Sequence, residues 1–159
     1  METQQKEDAY RQSLLELESV LEGIDDRIAI MATMSCILKT NLPYYFWSGF
    51  YIAKNGHLIV GPYQGTLGCL YIDFGRGVCG TAAAERRTLV VDDVHAFPGH
   101  IACDARSRSE IVVPVFDCDR ELIAVFDVDS TETGSFDQTD RRHLEAIMAR
   151  FFASAPALV

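Results

Sequence analysis

Cys69, Cys79 and Cys103 fall within a span of 35 residues, among glycines, histidines and a long polar segment. No pair has the Cys-x-x-Cys spacing, which excludes a zinc ribbon and a thioredoxin-type motif. All three read as lying at or near loops, where a thiol can be reached and can react. Thiol redox chemistry is therefore the first chemistry on offer. Its nucleophile is the thiolate, and the local field decides how readily that forms. Cys103 lies between His100 and Arg106, which favour a thiolate, while Asp104 opposes it. Cys36, close to Met34 and Ile37, reads as an inert core residue. Cys118 falls in a hairpin turn and reads as exposed.

The carboxylates form a second group. Glu110 enters a strand that is otherwise apolar (Ile111, Val112, Val113), and Asp127 and Asp129 end another, ELIAVFDVD. Strand alternation places Asp127 and Asp129 on one face. Two such acids repel each other unless a cation lies between them. They read either as a solvent-facing strand end or as a pocket for an ammonium group with a proton donor of raised pKa. Gly75-Arg76-Gly77-Val78-Cys79-Gly80 formally matches the dinucleotide pattern G-x-G-x-x-G. It lies mid-chain in a hairpin-rich context, not at the start of a βαβ unit, so no nucleotide cofactor is expected. A glycine turn at a helix start still exposes N–H groups that can hold a carboxylate or phosphate. His95, His100, Cys103 and Asp104 follow no standard zinc spacing, and no metal is expected.

These residues belong to a chain of 159 residues with net charge −9, 48% hydrophobic and 23% charged. Such values fit one globular domain with a sizeable core. The acidity argues against sequence-independent binding to nucleic acid or an anionic membrane, both of which need a basic face. No apolar run approaches the ~20 residues of a bilayer span, and the start, METQQKEDAYRQ, lacks the pattern of a secretory signal. Five cysteines is an odd count, which points to a cytoplasmic protein with reduced thiols and, at most, a transient disulfide.

The elements that must position the reactive groups follow from periodicity. Residues 5–23 read as an amphipathic helix with Leu14, Leu17 and Leu21 on one face, followed by an Asp25-Asp26 cap and a second helix ending before Asn41. FWSGFYIA (46–53) and HLIVGPYQG (57–65) flank Asn55-Gly56, a hairpin signal. A third strand is expected at 67–72, a short helix at 78–87 and a strand at 88–94. The stretch 95–109 has little periodicity, and a loop of that length inside a domain is usually functional or disordered. Strands return at 110–116 and 121–129, and Ser135-Phe136-Asp137 opens a last helix running to 153. The order predicts a single α+β domain over residues 1–159, with a mainly antiparallel central sheet and helices packed against it. Residues 1–40 supply the N-terminal helices, and 41–153 the sheet, the active-site loop and the C-terminal helix.

GRGVCGTA, DDVHAFPGHIACDARSRSEI and FDVDS together resemble the free methionine-(R)-sulfoxide reductases, which are single GAF domains. The similarity spans about residues 46–140 and is most specific from Val94 to Glu110. It implies a GAF-like fold and an oxidoreductase that reduces free L-methionine (R)-S-oxide to L-methionine. Cys103 matches the family's nucleophile, Cys69 its resolving cysteine and Cys79 an alternative partner. Glu110, Asp127 and Asp129 match the acids that bind the substrate ammonium and assist proton delivery, with Glu110 and Asp129 catalytic. Trp47 and Tyr51 match the aromatics around the sulfoxide methyl group, and the backbone at Ile101 and Ala102 is expected to help hold the carboxylate. The resemblance also implies a cysteine sulfenic acid, an intramolecular disulfide, thioredoxin as reductant, no cofactor and a role in oxidative stress. A homodimer through the first helix is a further expectation. Two other readings stand beside it: a small-molecule-sensing GAF domain, and a thiol redox sensor that uses Cys103 with Cys69.

Overall fold

The computed structural model describes residues 1–154; residues 155–159, the end of the expected domain, lie outside the described residues. Two helices, α1 (Thr3–Val20) and α2 (Arg27–Asn41), precede the hairpin of β1 (Trp47–Lys54) and β2 (His57–Gln64). Then come β3 (Tyr71–Asp73), α3 (Gly77–Glu85) and β4 (Leu89–Val91). The long strands β5 (Ser109–Phe116) and β6 (Leu122–Ser130) lead into α4 (Gln138–Met148), which ends in one π turn, Ala149–Ala153. The six strands form one sheet in the order β3-β2-β1-β6-β5-β4, with every pairing antiparallel. The expected α+β architecture is therefore the observed one.

The hairpin has a local cause. Asn55 and Gly56 both take positive φ, 53° and 80°, as a two-residue type I′ turn requires. Two strands and one side chain differ from expectation. The third strand is only Tyr71–Asp73, because the chain from Gly65 onward folds over the sheet instead of pairing with it, which leaves Cys69 in a loop. The fourth strand stops at Val91, and the following polar stretch contains one 3-10 turn, Val94–Ala96. Cys36 lies on the exposed face of α2, not in the core; the buried face is carried by Ile30, Met34, Ile37 and Leu38.

The main core lies between one face of the sheet and α1, α2 and α4, and includes Tyr10, Leu17, Met34, Leu38, Phe50, Phe126 and Leu144. Burying a side chain of this size stabilises by roughly 1.5–3 kcal/mol. A polar knot ties this layer to β1. Buried Lys6 of α1 donates to Asp140, to Asp137 at 3.0 Å and to the carbonyl of Ser135 at 2.8 Å. Tyr10 donates to Asp140 at 2.7 Å, and Tyr44 also donates to it. Tyr44 and Tyr45 are thereby fixed just before Phe46 and Trp47. Among the described residues, no helix is long and apolar enough to cross a membrane.

Candidate active site

Alternation along the three central strands decides which side chains share a site. Phe50, Ile111, Val113, Phe126 and Val128 point to the helical layer. Their neighbours necessarily point the other way, toward α3: Trp47 and Tyr51 on β1, Val112 on β5 and Val125 on β6. Glu110, Asp127 and Asp129 have the same parity as this second set. Register then brings them together. Asp129 pairs with Trp47 on one side and Glu110 on the other, and Asp127 lies between Gly49 and Val112. Gly49 is required here. A Cβ at that position would collide with Tyr63 and come within 2.9 Å of the Trp47 ring, whereas its absence lets those two rings stack at 5.0 Å.

A cavity opens between this face, the start of α3 and the two loops that precede β3 and β5. Trp47, Tyr51, Cys79, Ile101, Ala102, Cys103, Glu110, Asp127 and Asp129 all line it. The remaining expected residue, Cys69, is disulfide-bonded to Cys103 across 34 residues, with Cα atoms 5.4 Å apart. The bond pins the two loops to each other at the rim, where Cys103 is exposed. Cys79 is buried at the start of α3, and its Sγ donates to Glu110 Oε1 at 3.7 Å.

The floor of the cavity is strongly acidic and buried. Glu110 and Asp127 are each only 5% exposed, and Asp129 is half-buried. Burial pushes the carboxyl of Asp127 up to about 6. Burial, reinforced by the charge of Asp127, raises Glu110 and Asp129 well above the usual carboxylate range. Each of these acids therefore holds its proton more tightly than an exposed carboxyl does. Burial and the same acids push the Cys79 thiol up, so it stays a thiol. Asp127 Oδ1 is buried without a hydrogen-bond partner, a costly state unless something else occupies the cavity. The arrangement suits a ligand with a cationic end.

Several contributors carry no motif. Thr66 links the two walls: its carbonyl accepts from Trp47 Nε1 at 2.8 Å, and its hydroxyl donates to Asp104 at 2.8 Å. Asp104 in turn binds Arg106 at 2.9 Å. Arg106 is therefore engaged by Asp104 and lies over the Phe46 ring, 4.9 Å from its centroid, which corrects the expectation that it acts on Cys103. The Arg106 contacts hold the Asp104 carboxyl well below its usual range. Gly68 lies against the aromatic pair; a Cβ there would come within 2.9 Å of Trp47 and 3.1 Å of the Tyr51 hydroxyl. Only contacts across the fold reveal these roles.

The class is defined by the family model for the GAF domain, which matches residues 7–155. Within that class, the free methionine-R-sulfoxide reductase of Escherichia coli (strain K12) is 39% identical over 145 residues, covering 91% of this chain and 87% of that protein. Among solved structures, fRMsr of Staphylococcus aureus in its reduced form matches with TM-score 0.86 and 48% identity, over 90% of this chain and 92% of that one. The free methionine-R-sulfoxide reductase from Neisseria meningitidis, in complex with its substrate, matches with TM-score 0.84 and 44% identity, over 89% and 87%. The chain belongs to the free methionine-R-sulfoxide reductase family of GAF domains.

Proposed function

We propose that this protein reduces free L-methionine (R)-S-oxide to L-methionine through thiol chemistry at Cys103. One observation carries the reading: a single cavity is lined both by Cys103 and by Glu110, Asp127 and Asp129. The amino-acid ammonium pairs with ionised Asp127, whose Oδ1 otherwise lacks a partner. The methyl group lies against Trp47 and Tyr51, whose rings stack at 5.7 Å. The carboxylate is held by the backbone at Ile101 and Ala102.

Sulfoxide oxygen leaves poorly until it is protonated, so a neutral carboxylic acid beside it is useful. Glu110, with Asp129, delivers that proton as the Cys103 sulfur attacks the sulfoxide sulfur. The attack forms an S–S bond to the substrate, and the sulfoxide oxygen, protonated by the acid and by the thiol proton, leaves as water. A water then cleaves that S–S bond, releasing methionine, leaving Cys103 as a sulfenic acid and returning a proton to the acid. The Cys69 thiol condenses with it, forming the disulfide and releasing water. A dithiol reductant of the thioredoxin type then restores both thiols by exchange and is itself oxidised. The Cys69–Cys103 bond of the structure has the composition of this last intermediate, and Cys79 is an alternative partner. Free substrate is preferred because a methionine inside a polypeptide has no ammonium to offer the acids. Such an enzyme acts in the cytoplasm under oxidative stress. The first helix is proposed as a dimer surface: its Leu15 and Val20 are 63% and 56% exposed, and the mass in solution measures it.

The test is incubation with dithiothreitol or thioredoxin and racemic free methionine sulfoxide, with products resolved by chiral chromatography. Loss of the R isomer and formation of methionine, both abolished in Cys103→Ser, are expected. No methionine, or equal turnover by Cys103→Ser, refutes the reading. Peroxide-driven oxidation of Cys103 without sulfoxide turnover would instead favour a redox sensor.

A further inference from the structure

We propose that Cys79, Glu110 and Asp127 form a binding site for one thiophilic divalent cation of the zinc class. The three residues come from the start of α3, from β5 and from β6, so no sequence spacing announces them. Their ligand atoms, one sulfur and two carboxylate oxygens, lie within 4.8 Å of one another. One edge of the triad is close to that of a bound ion. With zinc–sulfur near ~2.3 Å and zinc–oxygen near ~2.0 Å, a tetrahedral sulfur–oxygen edge is about 3.5 Å; Cys79 Sγ and Glu110 Oε1 are 3.7 Å apart. An independent observation points to a ligand at the same place: Asp127 lines the cavity, is 5% exposed and has an Oδ1 without a partner.

Three protein ligands leave a fourth position for water, reached from the cavity. The donor set selects among cations. A hard ion such as magnesium prefers six oxygens and gains little from a thiol, whereas zinc, cadmium and cobalt displace the Cys79 thiol proton to solvent and bind the thiolate together with carboxylates. An ion seated here also stands where the proposed ammonium would bind, so it would block the reductase reversibly. The binding itself does not depend on that activity.

The experiment uses the full chain with the Cys69–Cys103 disulfide intact, in a Cys36→Ser/Cys118→Ser background that removes the two exposed thiols. Cobalt(II) is titrated in and followed by its thiolate charge-transfer absorption, and zinc(II) affinity is measured by competition with a chromophoric chelator. One ion per chain, with the charge-transfer band, is expected. Cys79→Ser should lose the band, and Asp127→Asn should weaken zinc binding by about 10-fold or more. No binding, or a band that survives Cys79→Ser, overturns the proposal. If Cys79→Ser fails to fold, Asp127→Asn decides, because it keeps the thiol: unchanged zinc affinity in that variant also overturns the site. The readout is ion binding, so an inactive reductase would leave the result standing.

Discussion

Asp127→Asn should make the protein more stable and less active, with a stability gain that depends on pH. An aspartate carboxyl ordinarily titrates near ~3.9, and burial pushes that of Asp127 up to about 6. A carboxyl raised in the folded state binds its proton more tightly there than in the unfolded chain. Its contribution is therefore complete below about pH 4 and is lost as pH rises through about 6. The gap of about two pH units, at ~1.4 kcal/mol each, means that ionised Asp127 destabilises the fold by about 3 kcal/mol above pH 6. Asparagine has nearly the same shape and no charge, and it sacrifices about 1 kcal/mol of hydrogen bonding. The net gain is about 2 kcal/mol at pH 7.5, which raises Tm by roughly 4–8 °C for a chain of this size. Removing the partner of a buried ammonium should meanwhile lower kcat/KM by about 10²-fold or more. Thermal melts at pH 4 and pH 7.5 in the presence of a chelator, with methionine formation assayed alongside, check both halves. A variant that is less stable at pH 7.5 by an amount independent of pH, or that turns over at wild-type rate, would refute the account of the acidic floor.

Lys6→Met should leave Asp140 buried without its cation and destabilise the fold by about 3–5 kcal/mol; a denaturant titration that moves the midpoint only slightly would make the knot dispensable. Gly68→Ala should crowd Trp47 and Tyr51, since its Cβ would come within 2.9 Å of the Trp47 ring. The expected result is a raised KM for free methionine sulfoxide with Tm changed by less than about 3 °C, because the loop is partly exposed; an unchanged KM would argue that the methyl group does not lie there.

Much of the architecture is legible in local pattern. Helical spacing picks out buried Leu17 of α1, with Leu14 half-buried beside it and Leu21 buried at the helix end, and Asn55-Gly56 fixes the first hairpin because both residues tolerate positive φ. Alternation in ELIAVFDVD suffices to place Asp127 and Asp129 on one face. Local pattern fails where the partner is distant. The segment 67–72 has β-prone residues, but only Tyr71–Asp73 finds a strand to pair with, and Cys36 has apolar sequence neighbours yet points away from the core.

The site divides in the same way. Residue types alone determine that this chain carries thiols, acids and aromatics suited to a reduction, because chemical character belongs to each side chain wherever it lies. Their meeting belongs to the tertiary structure. Sheet register sets Glu110 opposite Asp129, packing of α3 brings Cys79 to Glu110, and the Thr66–Asp104 bond joins two loops that share no local signal. Burial, which raises the acids and leaves Asp127 Oδ1 without a partner, arises only when the whole sheet and its loops close around them.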